Sequence, residues 1–154
     1  MNIFKEEALK YFHKGINVIP DKFQSKMPAI KGWTEYGEKR VTKDDITGWS
    51  NAFDSTNIAV PLGSYNKICV LDVDTTDQKL IDFLDRNLPA SPVERYGSKG
   101  FVRFFRTYPG CSNYMVKDAL GNCVFEVLAQ KKKITIAPSV HPSGMKYRLS
   151  LIHI

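Results

Sequence analysis

From Ile3 to about Lys14 the apolar positions Phe4, Ala8, Leu9, Tyr11 and Phe12 recur at near-helical spacing, and Gly15 stands where a helix end commonly turns left-handed. This pattern predicts an amphipathic helix. The stretch INVIP then predicts a short strand closed by Pro20, and the polar residues from Asp21 to Lys31 a loop leading into Gly32-Trp33. Thr42 opens T-K-D-D, an N-cap with acids close behind it, so a second helix carrying Ile46, Trp49 and Phe53 is expected. After Asn57 the texture turns apolar and β-branched. IAVPLG and KICVLDVD, separated by the turn-forming Gly63-Ser64-Tyr65-Asn66, are expected to be neighbouring antiparallel strands. Thr76 or Asp77 caps a helix through Leu80, Phe83, Leu84 and Leu88 that Pro89 and Pro92 end. Strands return with VERY, a turn at Gly97-Ser98-Lys99-Gly100, and FVRFF. A loop then leads to CVFEVL and KITIAP, expected to form a hairpin through Gln130-Lys131-Lys132. With no repeat, low-complexity tract or Ser/Gly-rich linker, the fold class expected is a single α+β domain.

Composition changes this picture little. The 154 residues suit one domain, and 22 Lys and Arg against 16 Asp and Glu give a net charge of +6, which is compatible with a polyanionic partner. No run approaches the roughly 20 apolar residues of a membrane span, and the N-terminus carries acids where a secretion signal would be apolar. A cytoplasmic protein without a membrane partner is expected. Cys69, Cys111 and Cys123 form no CxxC pair and are odd in number, so they read as reduced apolar residues.

Asp72 and Asp74 end an apolar strand, and alternation places both carboxylates on one face about 7 Å apart along the chain. Such a pair suits hard divalent cations in phosphoryl or nucleotidyl transfer, although two aspartates also mark a strand's exit into a turn. Glu126 shares its strand face with Val124 and Leu128, so its carboxylate needs a cation or a metal unless that edge faces water. Together the three acids make a plausible metal cluster on one sheet. The turn Gly97-Ser98-Lys99-Gly100 offers amides, a hydroxyl and an ammonium to phosphate oxygens. Arg103, flanked on its face by Phe101 and Phe105, offers a fork suited to a triphosphate. A hairpin turn with surface charges is the plainer reading of the same residues. Ser139 and His141, in Ala137-Pro138-Ser139-Val140-His141-Pro142, are a further candidate pair for a nucleotide's phosphates or sugar.

Taken in order, these patterns resemble the bifunctional DNA primase-polymerase domain of the archaeo-eukaryotic primase superfamily, found in phages, plasmids and mobile elements. The resemblance spans nearly the whole chain: Gly15 and Pro20, then Lys26, Pro28, Gly32 and Trp33, then Trp49 and Asn57-Ile58-Ala59-Val60, then Val70-Leu71-Asp72-Val73-Asp74, then Glu126, and finally Pro138, Ser139 and His141. Each pattern is short, and their shared order is far more specific than any one. The resemblance implies a sheet like that of an RNA-recognition motif, antiparallel or mixed, with flanking helices and a small N-terminal α/β unit. It implies nucleotidyl transfer with two Mg²⁺ or Mn²⁺ ions on Asp72, Asp74 and Glu126, and Ser98, Lys99, Arg103, Ser139 and His141 orienting the incoming NTP or dNTP. Single-stranded DNA would be the template, with Lys22, Lys26 and Lys31 steadying its backbone, and a helicase or priming-accessory domain would accompany the catalytic one.

One departure stands out. Many relatives place a histidine in the second motif where this chain has Val102, counted from Gly100. The last residues, Leu149-Ser150-Leu151-Ile152-His153-Ile154, match one reading frame of a transposon-end sequencing adaptor, so a catalytic domain over 1–148 with a non-native tail at 149–154 is expected. Two rival functions share many of these features. A metal-dependent replication nuclease would also use acids on a sheet, but should bring a His-x-His pair or a tyrosine nucleophile. A non-catalytic nucleic-acid binder would stack bases on Phe101, Phe104 and Phe105, residues that alternation assigns more readily to the core.

Overall fold

The computed structural model describes residues 1–91, 93–96 and 99–151. Helix α1 (Ile3–His13) buries Ile3, Phe4 and Ala8, and its N-cap Asn2 accepts the amide of Lys5. The Asn2 side-chain amide also donates to the carbonyls of Ser50 and Phe53, which ties α1 to helix α2 (Lys43–Ala52). In α2 the Thr42 hydroxyl accepts from the Asp45 amide while the Asp45 carboxylate accepts from the Thr42 amide, the reciprocal cap that T-K-D-D predicts. Trp49 meets Phe4 and Tyr36 edge-on between the two helices.

Two antiparallel sheets carry the rest. Strands β1 (Ile19–Lys22), β2 (Thr56–Pro61) and β8 (Lys133–Thr135) form a small sheet in the order β1-β2-β8. The larger sheet contains β3 (Ile68–Val73), β4 (Val93–Tyr96), β5 (Phe101–Arg106), β6 (Tyr114–Lys117), β7 (Cys123–Leu128) and β9 (Arg148–Leu151), ordered β6-β7-β3-β5-β4-β9. Helix α3 (Gln78–Asn87), capped by Asp77, covers one face of this sheet. Its Leu80, Ile81 and Leu84 pack with Leu71, Val73 and Phe101. The opposite face sends Val70, Val102 and Leu128 into the main core, which it shares with α1 and the small sheet. The α+β class is thus observed.

Three local expectations are corrected. IAVPLG and KICVLDVD are adjacent in sequence yet lie in different sheets, because the chain crosses over at residues 63–66. There the Asn66 side chain donates to the carbonyls of Asn17 and Pro61. CVFEVL and KITIAP likewise separate, β7 joining the large sheet and β8 the small one. Pro20 does not close its strand but sits inside β1, an edge strand where a missing N–H is tolerated. Arg148–Leu151, which overlaps the expected tail, pairs with β4, whereas residues 152–154 lie outside the described residues.

The β4–β5 hairpin closes against the end of β3 at Gly100. This residue has φ +52°, and a Cβ there would stand 1.9 Å from the carbonyl oxygen of Val73. Gly100→Ala is therefore expected to cost at least about 2 kcal/mol, from left-handed strain together with overpacking. Thermal unfolding measures it, and a stability unchanged from wild type would contradict the close approach.

Candidate active site

Directly opposed residues of antiparallel strands point to the same side of a sheet, their Cα atoms about 5 Å apart. Asp72 opposes Glu126 of β7 on one flank and Val102 of β5 on the other, and Val102 opposes Arg95 of β4. One row across four strands therefore reads Glu126, Asp72, Val102, Arg95. Asp74 stands just past the end of β3, exposed, with its amide donating to the Val124 carbonyl at 3.2 Å. The three acids singled out in the sequence thus share one end of the large sheet. Burial holds the Asp72 carboxyl above the usual carboxylate range, the charges of Asp74 and Glu126 push the same way, and Arg95 and Lys26 oppose them.

This donor set fits a hard divalent cation. It is made of carboxylate oxygens alone, and a cation between them relieves the crowding of like charge around Asp72. Among the described residues no three His, Cys, Asp or Glu side chains close around one point. Mg²⁺ does not demand such a cage, since it keeps several waters and binds through one or two carboxylates plus substrate phosphates.

Two loops lie beside this row, the first bringing Lys26 near Asp72 and the second bringing His141 near Lys26 and Arg95, and Asn57 holds both. Its side chain is fully buried, donates to the carbonyls of Ser25 and Val140, and accepts the Val140 amide at 3.0 Å. The first loop is pinched by the Lys22 amide on the Met27 carbonyl and brings Lys26 within electrostatic reach of Asp72 and His141. In the second, Ser139 is fully buried. Its hydroxyl accepts the Ile58 amide and donates to the Ile58 carbonyl, so it anchors the loop to β2. His141 follows on this anchor. Its Nδ1 accepts the Ser143 amide at 3.0 Å, and because a backbone amide can only donate, the neutral ring carries its proton on Nε2. Burial, Lys26 and Arg95 lower its pKa, which keeps that neutral Nε2–H donor populated at pH 7.

A buried polar seam runs behind these loops. Asp21 of β1 accepts from Lys133 and from the Thr135 hydroxyl, both at 2.8 Å. The Thr135 carbonyl accepts from Arg95 Nη1 at 2.5 Å, and the Arg95 guanidinium lies 4.5 Å from the ring centroid of Tyr147. His141 meets that ring edge-on, with centroids 5.6 Å apart. Sequence reasoning gave no role to Arg95, Asp21 or Tyr147, and Asn57 entered it only within the Asn57-Ile58-Ala59-Val60 pattern, without a function.

A family model described as bifunctional DNA primase/polymerase, N-terminal, matches residues 8–151. The chain belongs to this family. Membership gives the domain a primase/polymerase-type role in DNA replication, with nucleotidyl transfer as its class of activity, nucleotides and nucleic acid as its substrates, and a general dependence on divalent metal. No curated protein matches it. No helix among the described residues is long and apolar enough to cross a membrane.

Not every expected site residue of this primase/polymerase domain reaches the acids. Arg103 is 4% exposed on the α3 side of the sheet, where it pairs with Glu94 at 2.8 Å and with Asp85, and stacks on Phe101. It opposes Leu71, not Asp72, so it lies behind the row of acids. Ser98 falls outside the described residues, and Lys99 is exposed beside it. Lys22 and Lys31 are exposed, and of the three loop lysines Lys26 is the one coupled to Asp72. Phe101 is buried, while Phe104 and Phe105 pack into the two cores, an arrangement that disfavours a base-stacking platform. A mostly apolar cavity of about 420 Å³, lined by Tyr11, Ile16, Val60, Ile68 and Phe104 and also by Glu7, Lys10 and Lys14, contains none of the site residues named above.

Proposed function

We propose that this domain carries out template-directed nucleotidyl transfer, as a DNA primase, a DNA polymerase or both, in the replication of a phage, plasmid or mobile element. The observation that carries the reading is the register that sets Asp72 beside Glu126 on one face, with Lys26 near Asp72 and His141 near Lys26 and Arg95. Asp72, Asp74 and Glu126 would hold two Mg²⁺ or Mn²⁺ ions, which when bound lower the pKa of the attacking 3′-hydroxyl and neutralise charge at the α-phosphate. The chain's own part is positioning. His141 donates from Nε2 to a phosphate oxygen, Lys26 adds a cation on the same side, and Lys99 reaches the phosphates from the β4–β5 turn. Asn57 and Ser139 hold the loops in place, so His141 and Lys26 arrive preorganised instead of being ordered by substrate. The net charge of +6 supports a single-stranded DNA template. A helicase or priming-accessory domain acting on the same template completes the proposal.

Labelled dNTPs or NTPs supplied with single-stranded DNA, with and without a primer, test the reading. Incorporation is expected with Mn²⁺ or Mg²⁺ and should stop when the metal is chelated. A folded protein inert under every one of these conditions would rule the proposal out.

A further inference from the structure

Among the described residues, three buried side-chain polar atoms lack a hydrogen-bond partner: Asp21 Oδ1, Arg95 Nε and Tyr147 Oη. Arg95 and Tyr147 stack on one another, and Arg95 and Asp21 are joined through Thr135. The three orphaned atoms therefore belong to one seam between the two sheets. A guanidinium 7% exposed with an unpartnered Nε is costly unless something meets that nitrogen.

Arg95 lies in the row of Asp72 and Glu126, two strands from Asp72 and so about 10 Å away. It senses the charge of Asp72, yet no ion pair between them forms among the described residues. Its Nη1 is committed to Thr135, and the Tyr147 ring fixes the plane of the guanidinium. That leaves the side-on edge containing Nε, which is the edge that receives two oxygens of a phosphate at once. Lys26 and His141 add cationic and donor character on the same side, where both Arg95 and Lys26 depress the protonation of His141.

We propose that Arg95 anchors the polyphosphate of the incoming nucleotide, with Thr135 and Tyr147 as its positioning residues. The proposal rests on the polymerase reading above and names the cation of its nucleotide subsite. The acids at the other end of the row bind the reacting end of the substrate, and Arg95 binds the β- and γ-phosphates.

Calorimetric titration of the full chain with dATP, dADP and dAMP in Mg²⁺ tests it. Wild type should bind dATP more tightly than dAMP. Arg95→Gln should weaken dATP binding about ten- to a hundredfold while leaving dAMP nearly unchanged, because one charge-assisted contact is lost only where distal phosphates exist. In incorporation assays the same variant should raise the nucleotide KM more than it lowers kcat. Arg95→Lys, which keeps the charge and the stem, serves if the Gln variant does not fold, and should still discriminate less than wild type because it lacks the fork. Wild-type discrimination between dATP and dAMP in a folded Arg95 variant would overturn the proposal and leave the polymerase reading standing. A wild type that binds none of the three nucleotides would sink the polymerase reading itself.

Discussion

Replacing Asp72 and Asp74 together by Asn is expected to lower nucleotide incorporation by at least about 10³-fold, the equivalent of about 4 kcal/mol of lost transition-state stabilisation. Both substitutions keep side-chain volume and remove charge, so the loss is not one of packing. Metal-free stability should not fall, because Asp72 is crowded by burial and by Asp74 and Glu126, and Asn relieves that crowding. Single-stranded DNA binding should survive, since the lysines that attract the backbone are untouched. Primer-extension rates, thermal unfolding without metal and a DNA titration read the three quantities separately. Incorporation within tenfold of wild type would show that the acids do not hold the catalytic metals, and a collapse of the metal-free fold would show that they are structural.

Elements governed by local chemistry were legible in the sequence. The caps at Thr42 and Asp77, the left-handed Gly15 after α1 and the antiparallel pairing of β4 with β5 each depend on residues close in sequence. Strand partners were not, because pairing is decided by contacts far along the chain. Sequence neighbours usually pair, which favoured a hairpin of residues 56–61 with 68–73, yet the long buried run of β3 is explained by its position between β5 and β7 with both faces covered. The same limit applies to the site. Alternation correctly placed Arg103 with Phe101 and Phe105, but which face of β5 meets the acids depends on the register of β5 against β3, and a one-residue slip exchanges the faces. Val102 does share the face of Asp72. Arg95 gains its meaning only from Thr135 and Tyr147, 40 and 52 positions later.

The Asp21–Lys133 pair should make stability depend on pH in an unusual direction. Asp21 is fully buried, and burial outweighs the pull of Lys133 and Thr135, raising its pKa from 3.8 to about 6. Since the folded state holds this proton more tightly than the unfolded chain, its contribution is fully present below about pH 4 and is lost as pH rises through 6. For a shift of about two units it amounts to about 3 kcal/mol. Lys133→Met removes the cation that makes ionised Asp21 tolerable, so it should cost about 3–5 kcal/mol at pH 7.5, a large part of a domain's total stability. At pH 5 Asp21 is largely neutral and the same substitution should cost much less. Denaturant unfolding of both proteins at the two pH values isolates the pair, because every other titrating group cancels in the comparison. An equal cost at pH 5 and 7.5 would show that Asp21 is not the titrating partner. Lys133 also donates to the Lys26 carbonyl at 2.5 Å, so the substitution should loosen the loop that carries Lys26 and weaken nucleotide binding even where the fold survives.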